Sequence, residues 1–170
     1  MRERVLSAEN FVPLPRDQVF PFFADARNLE TLTPPWLSFR IVSPTPIAME
    51  KGTRIEYRIR LRGIPLRWHS RIAAWEPPFR FVDEQLKGPY RLWIHEHGFE
   101  SQSGGTLLRD RIRYAVHGGP LEPLVHRLLV LPDLRRIFAY RAARLRELLL
   151  GESPGALLGL PSPKLSFGGS

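Results

Sequence analysis

Two histidines stand two residues apart in the run Trp93-Ile94-His95-Glu96-His97-Gly98-Phe99, and two aspartates, Asp83 and Asp110, flank that run in the chain. Groups of these types support several kinds of chemistry. A His–Asp pair in apolar surroundings can act as general base on an enolisable ketone, with Tyr114 as proton donor. The same groups can orient the polar head of an otherwise apolar guest. They can also satisfy one another across neighbouring strands and fix strand register. His95 and His97, at i and i+2, share a strand face and could chelate a metal with Asp83 or Asp110. That spacing is common and no further ligand motif supports it, so neither a metal nor an organic cofactor is expected.

These residues act together only if their strands turn them to one side. In Arg54–Arg62 every odd position is apolar and every even one charged, the pattern of an antiparallel strand with one buried and one wet face. Residues 66–75 follow, with Trp68, Ser70 and Ile72 opposite Arg67, His69 and Arg71. Thr106–Val116 sets the polarity of the sheet, because Arg109, Arg111 and Arg113 cannot all face a core; Asp110 and Tyr114 therefore face in. On the two strands before it, Phe81, Asp83 and Gln85 and then Trp93, His95, His97 and Phe99 are the inward sets, which leaves Leu92 and Ile94 outside. The expected interior thus offers Tyr57, Trp68, Phe81, Asp83, Gln85, Trp93, His95, His97, Phe99, Asp110 and Tyr114 as ligand-contacting residues. No residue is assigned a catalytic role.

The remaining elements follow from local signals. Arg4–Val12 reads as a strand. Pro15 with Asp17 reads as a helix start, and Pro21 with the separate run Asn28–Leu32 predicts two short helices. Ser103-Gly104-Gly105 marks a hairpin. From Leu121, leucines at 124, 128, 131, 134, 145 and 149, with Phe138 and Ala142, recur at spacings of three and four. They form one apolar stripe on a helix of about 30 residues. Pro132 lies within it and should kink or split it, opening a hinge. The expected fold is α+β: a curved antiparallel sheet of about six to seven strands wrapped around a long C-terminal helix, with two short helices after the first strand. Residues 1–150 make the domain, and the Gly/Pro/Ser-rich 151–170 a flexible tail whose leucines could still dock.

Composition narrows the function. The 170 residues suit one domain. The absence of cysteine excludes disulfides, thiolate metal sites and a cysteine nucleophile. No apolar run is long enough to span a bilayer and no signal core follows the charged start, so a cytoplasmic location is expected. No G-x-S-x-G elbow, G-x-G-x-x-G or P-loop occurs. Arginine supplies 22 of the 25 basic residues, and the net charge is +8. Many arginines fall on outer strand faces, where an acidic partner or an anionic membrane surface could meet them. The outer-face aromatics that stack single-stranded bases are missing, so no nucleic acid is expected.

The runs Phe81–Phe99 and Thr106–Tyr114, the Phe11–Pro34 segment and the Trp75-Glu76-Pro77-Pro78 turn resemble those of the START-like (SRPBCC, helix-grip) superfamily over residues 3–150, with its polyketide cyclase and coenzyme Q-binding relatives. The resemblance implies the fold already argued, with a cavity between sheet and helix. It implies binding or carriage of a hydrophobic or amphipathic small molecule, lipid-like, isoprenoid or aromatic. The alternative is a cyclase- or dehydratase-like enzyme using a His–Asp pair in that cavity; apart from the resemblance, the basic outer face leaves binding of an acidic partner or nucleic acid as a further one.

Overall fold

The computed structural model describes residues 2–151 and 164–169. Strand β1 (Arg4–Val12) leads to helices α1 (Arg16–Ala24) and α2 (Asn28–Leu32). Six strands follow: β2 (Arg40–Ile41), β3 (Arg54–Leu61), β4 (Ile64–Glu76), β5 (Arg80–Lys87), β6 (Leu92–Gln102) and β7 (Gly105–Ala115). Helices α3 (Glu122–Val125) and α4 (Leu131–Leu150) are joined by a π-helical turn, His126–Val130, and β8 (Lys164–Gly169) completes the chain order. All strands pair antiparallel in the order β2-β3-β4-β5-β6-β7-β1-β8. The α+β helix-grip architecture is the one expected.

The alternation places the faces as read. In β3 the charged positions are exposed, while Ile55, Tyr57 and Ile59 are buried. In β7 the arginines are exposed, while Leu108, Asp110, Ile112 and Tyr114 are buried. The outer arginines are partly neutralised: Arg109 pairs with Glu9 and Glu100, Arg113 with Glu3, and Arg71 with Glu84. Register irregularities between β4 and β5, near His69/Ser70 and Ile72/Ala74, help the long β4 bend over the interior.

Three expectations need correction. Pro21 does not divide the two short helices; it lies inside α1, and the chain breaks at Asp25, which leaves helical geometry and caps Arg27 N–H through its carboxylate at 2.9 Å. The apolar stripe is not one continuous seam. Leu134, Phe138, Ala142 and Leu145 are buried, but Leu121, Leu124 and Leu128 are 65%, 53% and 55% exposed. The π turn just before Pro132 is the reason: one inserted residue rotates the preceding turns by about 100°, taking their leucines off the core-facing side. Finally, the end of the supposed flexible tail is ordered. Leu165 and Phe167 of β8 stand opposite Ala8 and Leu6 of β1 and pack on the same apolar cluster. Two apolar residues in alternation outweighed the Gly/Ser composition around them. Residues 152–163, with Leu157, Leu158 and Leu160, lie outside the described residues.

Helix α4 sits unevenly on the sheet. Leu134 and Phe138 join Leu6, Ile112 and Tyr114, and Leu145 joins Val12, Phe81, Phe99 and Leu108. Burying Leu134, Phe138 and Leu145 stabilises this contact by roughly 1.5–3 kcal/mol each. The third apolar cluster, Ile55, Tyr57, Ile59 and Trp68 on β3 and β4, has no α4 member. A hollow opens between that cluster and the helix.

Candidate ligand-binding cavity

The hollow measures about 200 Å³. Ile55, Tyr57, Ile59 and Trp68 form its floor; Leu134, Ile137 and Phe138 of α4 form its roof; Phe22, Phe23 and Leu29 of the short helices close one side. Asp83, His95, His97, Ser70 and Arg141 supply a polar lining within an otherwise largely apolar wall.

Cross-strand register assembles that polar end. Asp83 of β5 lies opposite His95, and His97 lies opposite Asp110 of β7. The contacts run diagonally as well as straight across. His97 Nε2 is 2.9 Å from Asp83 Oδ2, and His95 Nε2 is 2.9 Å from Asp110 Oδ1. His97 Nδ1 is also 2.9 Å from Asp110 Oδ1, but it is not aligned for a hydrogen bond. The two imidazoles lie with centroids 3.7 Å apart and planes tilted by 35°, and Phe81 stacks on His97 at 4.2 Å.

Their surroundings shift the two rings in opposite directions. Burial pushes the His95 pKa down, and the neighbouring His97 adds to that; Asp110 opposes them without prevailing. Burial works against charge on His97 too, yet the Asp110 and Asp83 carboxylates outweigh it and raise its pKa. Both aspartates are held below the usual carboxylate range, Asp110 far below it. Burial would raise them, but the histidines, with Arg141 adding, prevail. Tyr57 donates to or accepts from Ser70 Oγ at 2.7 Å, and burial raises its pKa beyond any physiological ionisation.

Of the residues expected at the site, Tyr57, Trp68, Phe81, Asp83, Trp93, His95 and His97 line the cavity, and four do not. Gln85 folds back over the β5–β6 turn, donating from Nε2 to the Tyr90 carbonyl at 2.7 Å; Gly88 leaves room for it where a Cβ would collide with its amide. Phe99 belongs to an aromatic plug, edge-on to Phe20 and Phe23 with centroids 5.1 Å away in each case. Asp110 lies behind the histidines. Tyr114 is fully buried under the start of the C-terminal helical segment, its hydroxyl 2.9 Å from His126 Nε2. Alternation assigns a face correctly, but one face of a curved sheet serves core, plug and cavity at different heights. Arg141 went unrecognised because it flanks the stripe. Its spacing of three and four from Phe138 and Ile137, both cavity residues, was the available signal.

The family model described as "Polyketide cyclase / dehydrase and lipid transport" matches residues 12–135. The chain belongs to this family. No curated protein matches it. Among solved structures it is similar to a Thermus thermophilus protein at 20% identity, TM-score 0.65, covering 86% of this chain and 97% of that one. It is similar to the Zhui aromatase/cyclase of a Streptomyces species at 14% identity, TM-score 0.62, covering 86% and 96%. It also resembles a Thalictrum flavum norcoclaurine synthase at 13% identity, TM-score 0.64, covering 89% and 97%. At these identities the likeness establishes the helix-grip fold and leaves the ligand to the site. Among the described residues no helix is long and apolar enough to cross a membrane.

Proposed function

We propose that the protein binds, and can carry, a compact amphipathic molecule with an aromatic or lipid-like body and an oxygen acceptor. The observation that carries this reading is the largely apolar hollow of about 200 Å³ with His95, His97 and Asp83 in its wall. An apolar cavity of about 150 Å³ already admits benzene. Two buried side-chain atoms among the described residues lack a hydrogen-bond partner, Trp68 Nε1 and His97 Nδ1, and both belong to cavity residues. An orphaned buried donor is costly, and a guest oxygen within reach of Trp68 Nε1 would relieve that cost; His97 Nδ1 has Asp110 Oδ1 at 2.9 Å behind it. The test is native mass spectrometry of the purified chain with titration of a naphthalene-type probe, followed by tryptophan fluorescence from Trp68 and Trp93. Saturable uptake is expected, and Ile137→Trp, which fills the hollow, should abolish it with the melting temperature retained. A wild-type chain that takes up neither endogenous guest nor probe overturns the reading.

One observation favours a second reading, cyclase- or dehydratase-like catalysis. The surroundings lower the pKa of His95 and raise that of the adjacent His97, so two imidazoles of different basicity stand side by side at one end of the cavity. His95 would take the proton from an enolisable carbon and His97 would donate to the oxygen. Turnover of aromatic polyketide substrates, lost in His95→Ala and His97→Ala, is the expected result; unchanged rates in both variants remove this reading.

A further inference from the structure

We propose that the polar end of the cavity is a site for a first-row divalent metal ion, held by His95 Nδ1, His97 Nε2 and Asp83 Oδ2. This rests on the placement of the four side chains and not on the amphipathic-guest reading.

The donor geometry is the first argument. One ligand atom from each of Asp83, His95 and His97 lies within 4.8 Å of the others. Zinc bonds of about 2.0–2.1 Å at tetrahedral angles put ligand atoms about 3.3 Å apart. Asp83 Oδ2 is 2.9 Å from His97 Nε2 and 3.9 Å from His95 Nδ1, so these two separations bracket the requirement. The rings, with centroids 3.7 Å apart and planes tilted by 35°, have to spread slightly to aim both nitrogens at one ion.

Asp110 is the second argument. A histidine that binds a metal through one nitrogen usually donates its other N–H to a carboxylate, which fixes tautomer and orientation. Here the two nitrogens left over are His95 Nε2 and His97 Nδ1, and both lie 2.9 Å from the same oxygen, Asp110 Oδ1. Asp110 is absent from the cavity lining while its three neighbours are present. That is an inner set of two imidazoles and one carboxylate with a single outer carboxylate behind both rings.

Third, all three ligand residues line the hollow, so remaining coordination positions would be open to a bound guest. An ion there would polarise a guest carbonyl or hold an enolate oxygen. Two imidazoles and a carboxylate suit zinc, iron(II), cobalt or nickel better than magnesium or calcium, which take oxygen ligands. Arg141 also lines the hollow and is the nearby cation that weakens affinity for the ion.

The experiment uses the untagged full chain, stripped with chelator. Zinc and cobalt(II) chloride are titrated by calorimetry, and cobalt(II) absorption is recorded to show nitrogen and oxygen coordination. One ion per chain is expected, with a rise in melting temperature as metal is added. Asp83→Asn and His95→Ala should each weaken binding by about 100-fold or more, and Asp110→Asn by roughly 10–100-fold. Should a variant fail to fold, histidine NMR signals of the wild-type chain report the same event: those of His95 and His97 shift on titration with zinc, and those of His69 and His117 do not. Absence of stoichiometric binding by the wild type overturns the proposal. So does binding that survives intact in Asp83→Asn and His95→Ala, because the ion then sits elsewhere. Probe uptake by the stripped chain is scored separately, so loss of the metal site and loss of the guest cavity give different results.

Discussion

Asp110 holds His95 from behind: its Oδ1 lies 2.9 Å from His95 Nε2, and only the histidine reaches the cavity wall. The pair spans β6 and β7 at nearby register positions and is almost fully buried. Asp110 Oδ1 is the carboxylate oxygen shared by two buried imidazole nitrogens, and replacing it leaves buried polar groups poorly satisfied, which costs about 1–3 kcal/mol. Asp110→Asn keeps the shape and weakens the acceptor, so a loss of about 2 kcal/mol is expected. Denaturant unfolding should show a lower midpoint at unchanged slope.

A second ion pair ties the two ends of the helix-grip together. Arg4 of β1 makes a two-pronged contact with Glu122 of α3, Nη2 to Oε2 at 3.1 Å, and both residues are buried. The Arg4 hydrogen bond holds the Glu122 pKa below the usual carboxylate range. A carboxylate depressed in the folded state adds stability that is present above its unfolded pKa and lost as pH falls through the folded value. Glu122→Gln should therefore cost about 2 kcal/mol at neutral pH, and the gap to wild type should close on acidification below about pH 4.5. Melting temperatures of both chains across that range test it.

The π turn His126–Val130 precedes Pro132, and the leucines around it are exposed. Few buried contacts and irregular hydrogen bonding mark a segment that opens locally. Hydrogen exchange should be faster over 122–130 than over 134–145, where Leu134, Ile137 and Phe138 line the hollow. Equal protection in the free protein would show that the segment is no hinge.

Strand β8 covers the open side of β1. Deleting residues 164–170 removes the packing of Leu165 and Phe167 on Leu6 and the Arg135 guanidinium contact over Phe167 at 5.2 Å. The loss should be roughly 1–3 kcal/mol. The uncovered β1 edge invites pairing with a second chain. Calorimetry and sedimentation of the truncated protein read the two effects separately.

The faces of β3, β6 and β7 were legible in the sequence because alternation is a strict geometric consequence of the strand. Three arginines at 109, 111 and 113 leave one orientation. That orientation put Asp83, His95, His97 and Asp110 on one side and set them close together. What alternation does not carry is depth. Tyr114 and Trp93 stand opposite one another in register, yet Trp93 lines the hollow while Tyr114 is sealed under the start of the helical segment. Nor does a helical stripe announce a π turn: the spacing of Leu121, Leu124 and Leu128 fits a regular helix, and the inserted residue that turns them outward leaves no mark in the apolar pattern. Arg141 was hidden for a related reason, since a long side chain at the margin of a stripe can point either to water or to the hollow.

The place of β1 in the sheet sets a timetable for assembly. It is synthesised before the other described strands, yet its neighbour β7 pairs with it from roughly 100 residues later, and β8 from later still. During synthesis Leu6, Ala8 and Val12 must wait with no sheet to join while β3 to β6 zip through short hairpins. Such long-range pairing slows folding. The newly made β1 segment is then the part of the sheet left longest with its apolar face uncovered.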